Sequence, residues 1–400
     1  MKVSFSDSSV AFQDKSDKEL KLSYLLFWAI SKPYLVSFLS FITKFSLFLH
    51  LPIEWVIKQT VYKQFCGGET LKETEKVIQA LQKQNIGAIL DYSLEGENNE
   101  TRFEEATKEL IELIEYASKN SNIPFTCMKI SGIAKNEILE KVSSNKLLSD
   151  KEKNAYNKII DRLNRICTKS FELGIPVYID AEESWIQPAI DSLTETMMEK
   201  YNKNKALVFC TLQMYRHDRN SYFDELLNKA RANNFKLGVK IVRGAYLEKE
   251  NLRAKTFNYP TPINQTKQKT DSEYNLAIEK AIKNYDIVEL CAGTHNEKSC
   301  LLVTQLMDEY NIASNDKKIW LSQLYGMSDH ISYNLAKANY NVTKYLPFGP
   351  VKSTIPYLLR RAKENTAIAG QMGQELAKIT EEINRRNLAH FVTEKPKKLF

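Results

Sequence analysis

Tyr357, Arg360, Arg361 and Glu364 fall at i, i+3, i+4 and i+7 of the stretch Pro-Tyr-Leu-Leu-Arg-Arg-Ala-Lys-Glu-Asn, residues 356–365. On an α-helix these four side chains share one face, with Leu358, Leu359 and Ala362 toward the other side. Two adjacent guanidiniums flanked by a phenol and a carboxylate suit a bidentate grip on a ligand carboxylate. Taken alone, such a charged stripe is more simply a solvated helix face. Its meaning therefore depends on what the rest of the chain places beside it.

A ring of ionisable residues supplies that context. From Ile86 onward short apolar or β-branched runs recur at Ala88–Glu95, Thr126–Gly132, Pro176–Glu183, Ala206–Gln213, Leu237–Gly244, Ile287–His295, Ile319–Met327 and Asn341–Gly349. Segments of helical period lie between most of them, for example Arg102–Ala117, Lys151–Leu173, Tyr222–Asn233 and Asp271–Asn284. Buried strands alternating with helices predict a parallel sheet, and their number points to a closed (β/α)8 barrel of TIM type, with a doubly wound open sheet as the alternative. In such barrels the strand C-termini build the site. Those positions read Asp91 and Glu95, Lys129, Asp180 and Glu182, Gln213, Lys240 and Arg243, Thr294 and His295, Leu324 and Tyr325, and Tyr345. Any one of them can cap a helix or pair with a neighbour. A whole ring serving only structure is harder to accept.

The arginine stretch starts just after the eighth run. Ser353 and Thr354 are its capping candidates, and Pro356 sits where a missing N–H is tolerated. Its polar face then leans over the barrel mouth. Two chemistries suit the ring: a Schiff base on Lys129 or Lys240, or redox chemistry on a bound flavin with Lys240, Arg243 and Gln213 beside it. Spacing alone does not choose between them. A paired-carboxylate hydrolase fits poorly, because Asp180 and Glu182 are two positions apart on a strand and point the same way.

Composition narrows the remaining classes. The 400 residues, 43% of them hydrophobic, suffice for a large barrel or two smaller domains. A net charge of +7 is spread along the chain apart from the Lys395–Lys398 end; it excludes a concentrated nucleic-acid footprint, though it would favour an anionic membrane. Six cysteines without CxxC spacing read as buried thiols of a cytosol-like compartment. Five histidines without HxxxH or HxxE spacing predict no metal site. Neither GxGxxG nor a P-loop is present. The aromatic stretch Leu22–Leu51 is broken by Lys32, Pro33 and Lys44 and never reaches the about 18–20 apolar residues of a bilayer span. It predicts two amphipathic or core helices, and neither a transmembrane segment nor a cleavable signal. The expected organisation is an N-terminal helical segment 1–85, a barrel 86–390 and a basic tail 391–400. The polar segment Asn251–Glu273 is left as a lid, an adenine-contact loop or a linker.

Six strings carry a resemblance: Tyr178-Ile-Asp-Ala-Glu-Glu183, Lys240-Ile-Val-Arg-Gly-Ala-Tyr246, Gly293-Thr-His-Asn296, Leu324-Tyr-Gly-Met327, Tyr345-Leu-Pro-Phe-Gly349 and Tyr357-Leu-Leu-Arg-Arg-Ala-Lys-Glu-Asn365. In this order they resemble the proline dehydrogenase family, from about Tyr62 to the end of the arginine helix. The resemblance implies a distorted (β/α)8 barrel with non-covalent FAD. It also implies oxidation of L-proline to Δ1-pyrroline-5-carboxylate, the first step of proline breakdown, by hydride transfer from C5 to the flavin N5, with electrons passing to a membrane quinone.

Carried over residue by residue, Arg360 and Arg361 look like the pair that binds the substrate carboxylate. Lys129 would approach substrate and flavin, and Asp180 would orient Tyr345 or a lysine. Tyr345, Tyr246, Leu324 and Tyr357 would wall the pyrrolidine ring, and Glu95 would pair with Arg360 to close the pocket. The resemblance assigns Ala181, Gln213, Lys240, Val242, Arg243, Gly244, Ala245, Thr294, His295 and Glu364 to the cofactor. Lys240, counted with Lys129, Asp180, Arg360 and Arg361 in the catalytic set, departs from the Arg of many bacterial relatives and lacks its planar fork. Gly244 would let the backbone approach a ligand closely.

The resemblance further implies a cytoplasmic protein with peripheral contact to the inner membrane, which the N-terminal helices could make unless they simply pack on the barrel. A pyrroline-5-carboxylate dehydrogenase would be a separate chain. Two alternatives stay open: a 4-hydroxyproline dehydrogenase, against which the Tyr345 phenol crowds C4 of the ring, and a catalytically silent membrane-associated barrel acting as a binding partner.

Overall fold

The eight apolar runs become eight parallel strands: β1 (Ile86–Tyr92), β2 (Phe125–Met128), β3 (Val177–Ile179), β4 (Val208–Gln213), β5 (Leu237–Val242), β6 (Val288–Gly293), β7 (Ile319–Leu324) and β8 (Val342–Phe348). They pair in chain order, and β8 returns to β1 with Ile89 opposite Tyr345 and Leu90 opposite Leu346. The sheet is thus a closed barrel, and the open doubly wound alternative falls. This computed structural model describes residues 3–49, 52–92, 99–367 and 371–388, without the side chains of 44, 47, 48, 363–367, 371 and 372. The expected tail 391–400 lies outside them.

The helices are α1 (Ser8–Ala11), α2 (Asp17–Ile30), α3 (Pro33–Phe48), α4 (Glu54–Ile57), α5 (Lys63–Phe65), α6 (Leu71–Gln82), α7 (Glu100–Ser118), α8 (Asn136–Ser143), α9 (Asp150–Leu173), α10 (Gln187–Tyr201), α11 (Arg219–Ala232), α12 (Leu247–Phe257), α13 (Lys267–Lys283), α14 (Glu297–Glu309), α15 (Asp329–Lys337), α16 (Val351–Ala367) and α17 (Gln371–Arg385). Local sequence explains their ends. Ser149 and Glu152 form a capping box at the start of α9, and Gly174 at φ 68° ends it.

Strand alternation sends Ile89, Phe125, Cys127, Tyr178, Phe209, Cys291, Trp320 and Tyr345 into the barrel interior. Phe125 stacks on Tyr178 with ring centroids 4.7 Å apart, and Phe209 meets Tyr178 edge-on at 5.0 Å. The interior is a packed core, which leaves ligand chemistry to the strand ends. Outward-facing residues form a larger core beneath the surrounding helices.

Two expectations about local structure are corrected. Most of the expected runs overshoot the ladder: β2 stops at Met128 and β3 at Ile179, so Lys129 and Asp180 are the first residues past their strands. There the backbone turns away, into a 3-10 turn Ile130–Gly132 after β2. The polar segment Asn251–Glu273 is mostly helical, divided between α12 and α13. It reads as loop because its charged residues face solvent, yet the buried Glu250 holds α12 to the barrel by accepting from the Ser184 N–H and hydroxyl, each at 2.6 Å.

The two expected N-terminal helices are present as α2 and α3. Leu20, Tyr24 and Phe27 of α2 pack with Tyr357 and Leu358 of α16 and with Ile379 and Ile383 of α17 in a second core. α3 differs: Tyr34, Phe38, Leu39, Phe41, Ile42 and Phe45 are exposed. Among the described residues no single helix is long and apolar enough to cross a membrane; α2 and Pro33–Thr43 pass that test only together, and they meet at 97°.

Candidate active site

The floor of the barrel mouth is built by three strands. Asp180, just past β3, accepts from Lys240 Nζ of β5 through Oδ1 and from Tyr345 Oη of β8 through Oδ2 at 2.9 Å. Lys240 Nζ also lies 5.5 Å and 5.0 Å from the ring centroids of Tyr178 and Tyr345. Burial alone would raise the Asp180 pKa; the ammonium groups of Lys240 and Lys129 and the bonds from Lys240 and Tyr345 outweigh it and hold the carboxyl below its usual range. Burial pulls the Lys240 ammonium down, but Asp180 more than offsets that. The floor is therefore a buried charged pair under a phenol, whose own pKa is pushed up by burial and by Asp180.

Lys129 stands beside this floor, its Nζ 4.0 Å from Asp91 Oδ2 of β1. The turn that follows it is fastened by Glu182, which accepts from the Ser131 N–H at 2.9 Å and from the Ser131 hydroxyl. Burial raises Glu182 to about 7 against the opposing bonds from Ser131. Neither Glu182 nor Asp91 was singled out for a role in the sequence, because their partners Ser131 and Lys129 come from other βα loops; their place at strand ends was the available signal.

The arginine pair is on α16. The helix begins at Val351, so Ser353 and Thr354 lie within its first turn instead of capping it, and Pro356 is inside the helix. Thr354 Oγ1 bonds back to the Val351 carbonyl at 2.8 Å. Arg361 lies with its guanidinium carbon 5.4 Å from the buried Tyr357 ring. Both arginines are half-buried. The Arg360 charge acts on the buried Tyr246 phenol and the Arg361 charge on the His295 imidazole. The pair thus bears on the loops after β5 and β6.

The residues assigned to a cofactor surround the ends of β4 to β6. Gln213 donates from Nε2 to the Glu182 carbonyl at 2.7 Å and accepts from the Ala245 N–H at 3.4 Å. Arg243 is a brace: Nε reaches Asp271 at 2.6 Å, Nη1 reaches Thr294 Oγ1 at 2.6 Å, Nη2 reaches Ser299 at 3.0 Å, and the Tyr274 ring lies beneath its guanidinium at 4.3 Å. Gly244 has φ +131°, and a Cβ there would come within 2.4 Å of the Tyr215 ring. The protein itself therefore requires this glycine. Ala181 is buried, Val242 half-buried at the end of β5, and Leu324 closes β7 with its N–H 3.4 Å from His295 Nε2. Burial and nearby cations push His295 down to about 3. Glu95 and the Glu364 side chain lie outside the described residues.

A closed (β/α)8 barrel with charged groups converging at its strand ends, under a helix carrying paired arginines, is an enzyme of the class that works at the C-terminal mouth. The sequence profile of the proline dehydrogenase family matches residues 74–374. The chain belongs to that family and is an oxidoreductase. It is 36% identical over 322 residues to the carbapenem antibiotics biosynthesis protein CarD of Pectobacterium carotovorum, covering 80% of this chain and 83% of that one. With mitochondrial proline dehydrogenase 1 of Dictyostelium discoideum it shares 32% identity, covering 95% and 74%. Relatives named hydroxyproline dehydrogenase also match. In fold it is similar to proline utilization A of Bdellovibrio bacteriovorus, with a TM-score of 0.72 at 19% identity over 86% of this chain; it spans only 36% of that longer protein.

Proposed function

We propose that the protein oxidises L-proline to Δ1-pyrroline-5-carboxylate with non-covalently bound FAD and passes the electrons to a membrane quinone. The observation that carries this reading is the placement of Arg360 and Arg361 at the barrel mouth, with their charges bearing on Tyr246 and His295. The arginines grip the carboxylate of an amino acid bidentately. Tyr345, Tyr246, Leu324 and Tyr357 wall the ring, and Tyr345 is pinned for this by Asp180. The positive charges of Lys129 and the arginine pair disfavour the ammonium form of proline, so the ring nitrogen sheds its proton and its lone pair can drive imine formation. When bound, the flavin accepts the hydride leaving C5. The chain supplies orientation and electrostatics.

The residues present fit a flavin. Amide, ammonium and imidazole groups of Gln213, Lys240 and His295 gather at the ends of β4 to β6. Gln213 uses one of its two amide hydrogens on the Glu182 carbonyl, which leaves donor capacity for a polar ring edge. Gly244 is exposed there with no side chain to obstruct the backbone. The acceptor side of the reaction accounts for α3: its exposed aromatic face suits peripheral contact with a lipid phase that dissolves the quinone. A pyrroline-5-carboxylate dehydrogenase activity consumes the product.

The second reading, a 4-hydroxyproline dehydrogenase, is favoured by the names of some relatives and opposed by the pinned Tyr345 phenol. Turnover of proline against trans-4-hydroxyproline with a soluble quinone separates the two. Proline is expected to lead in kcat/KM by roughly tenfold or more; the reverse order would replace the proposal by the second reading. No turnover of either would leave the silent barrel.

A further inference from the structure

The loop between β7 and α15 ties α17 to the mouth of the barrel. Ser328 in this loop is fully buried at φ +51°, a conformation that non-glycine residues adopt only when neighbours enforce it. The neighbours are identifiable. Lys344 of β8 donates to the Met327 carbonyl and pairs with Asp329 at 2.9 Å, and Lys15 reaches Asp329 at 3.2 Å from the N-terminal segment. So held, Ser328 sends both its N–H and its hydroxyl to Oε1 of the buried Glu375 on α17, the hydroxyl at 2.8 Å. The same Ser328 oxygen lies 2.9 Å from His295 Nδ1.

Proton counting decides the direction of this chain. A serine hydroxyl has a single proton. Directed to the Glu375 carboxylate, it leaves Ser328 Oγ able only to accept from His295, so Nδ1 carries the hydrogen. Nε2 is then a lone pair, which agrees with the Leu324 N–H pointing at it from 3.4 Å. The ring does not escape this assignment by becoming imidazolium, because burial and the Lys344 and Arg361 charges keep it neutral.

We propose that Glu375 is a positioning residue which, through Ser328, fixes His295 as the Nδ1–H tautomer, so that the imidazole accepts the Leu324 N–H through Nε2 and is seated between the ends of β6 and β7. Both ring nitrogens are thereby engaged within the protein, and the neutral ring is held in one orientation beside the proposed ligand site. The effect on a bound flavin rests on the proposed function; the tautomer does not.

The test is a nitrogen-15 spectrum of histidine-labelled protein, with the His295 signals assigned from their loss in His295→Gln, recorded with and without FAD. Wild-type protein is expected to show Nδ1–H at His295 in both states. Ser328→Ala and Glu375→Ala are expected to reduce the tautomer preference and, by loosening the ring, to weaken FAD binding roughly tenfold by titration, the scale of one lost hydrogen bond, while Glu375→Gln, whose carbonyl still accepts from Ser328, restores both. An Nε2–H tautomer in the wild type overturns the proposal without recourse to any variant. An unchanged tautomer in correctly folded Ser328→Ala overturns it as well. A protein that refuses FAD yet shows the Nδ1–H tautomer would sink the flavin reading and leave the positioning role standing.

Discussion

Lys240 Nζ and Asp180 Oδ1 form an ion pair in the barrel floor, with more than nine-tenths of each residue's surface covered. Tyr345 completes the arrangement on the other carboxylate oxygen. Removing one partner of such a pair strands the other charge in a dry site. Asp180→Ala is accordingly expected to lose about 3–5 kcal/mol of stability and to lower kcat/KM by roughly a hundredfold or more, because Lys240 and Tyr345 both lose their anchor. Urea denaturation and steady-state kinetics check this; a variant with unaltered melting and turnover would contradict it.

Glu182 predicts a pH dependence of opposite sense to the usual carboxylate. Its folded pKa is raised from 4.5 to about 7, so between these values the folded state holds more proton than the unfolded one. Stability from this residue is present below about 4.5 and declines as pH climbs toward 7, by on the order of 3 kcal/mol in total. Glu182→Gln is expected to remove that decline. Denaturation midpoints measured at pH 5 and pH 7.5 for both proteins decide the matter, and parallel pH profiles would refute it.

Tyr345 limits the space beside C4 of the substrate ring in the proposed pose. Tyr345→Ser is expected to move the ratio of kcat/KM for trans-4-hydroxyproline over proline upward by roughly tenfold. Turnover of the two substrates by the same preparation supplies the number. A fall in both activities with an unchanged ratio would show that the phenol does not face C4.

The exposed face of α3 predicts binding to anionic vesicles, stronger at low salt. Replacing Phe41 and Phe45, stacked with centroids 6.0 Å apart, by serine removes two insertable rings. Each is worth ~1.5–3 kcal/mol on full burial, so at least a tenfold weakening is expected in co-sedimentation. Equal binding by both proteins would assign the contact to another surface.

How far the sequence could be read depends on the range of the interaction. Apolar periodicity revealed the strands and hence the barrel, because burial on both faces leaves a continuous apolar run. The arginine stripe was visible because i, i+3 and i+4 neighbours meet on one helix. Strand-end polarity flagged Asp180 and Lys240 separately, and their resemblance to a known family suggested roles. What stayed hidden was contact between distant segments: Glu182 with Ser131, Glu375 with Ser328, Glu250 with Ser184. Glu250 and Glu375 sit on helices whose adjacent residues are largely exposed, so local pattern assigns them to the surface, whereas the strand-end position of Glu182 flagged the residue but not its partner. The partners of Arg243 on α13, the β6 loop and α14, which make it a brace within the protein, were hidden for the same reason of distance in sequence.

The central claim is that Arg360 and Arg361 hold the anion of an amino acid against a flavin. Anaerobic titration of the purified protein with L-proline, followed by flavin absorbance, tests it most directly. The account predicts a yellow protein that bleaches with proline, and Arg360→Ala and Arg361→Ala variants that remain yellow but need roughly 30- to 1000-fold more proline, equivalent to about 2–4 kcal/mol of lost binding. A colourless protein that refuses added FAD, or a yellow one whose bleaching by proline is unaffected by either substitution, would contradict it.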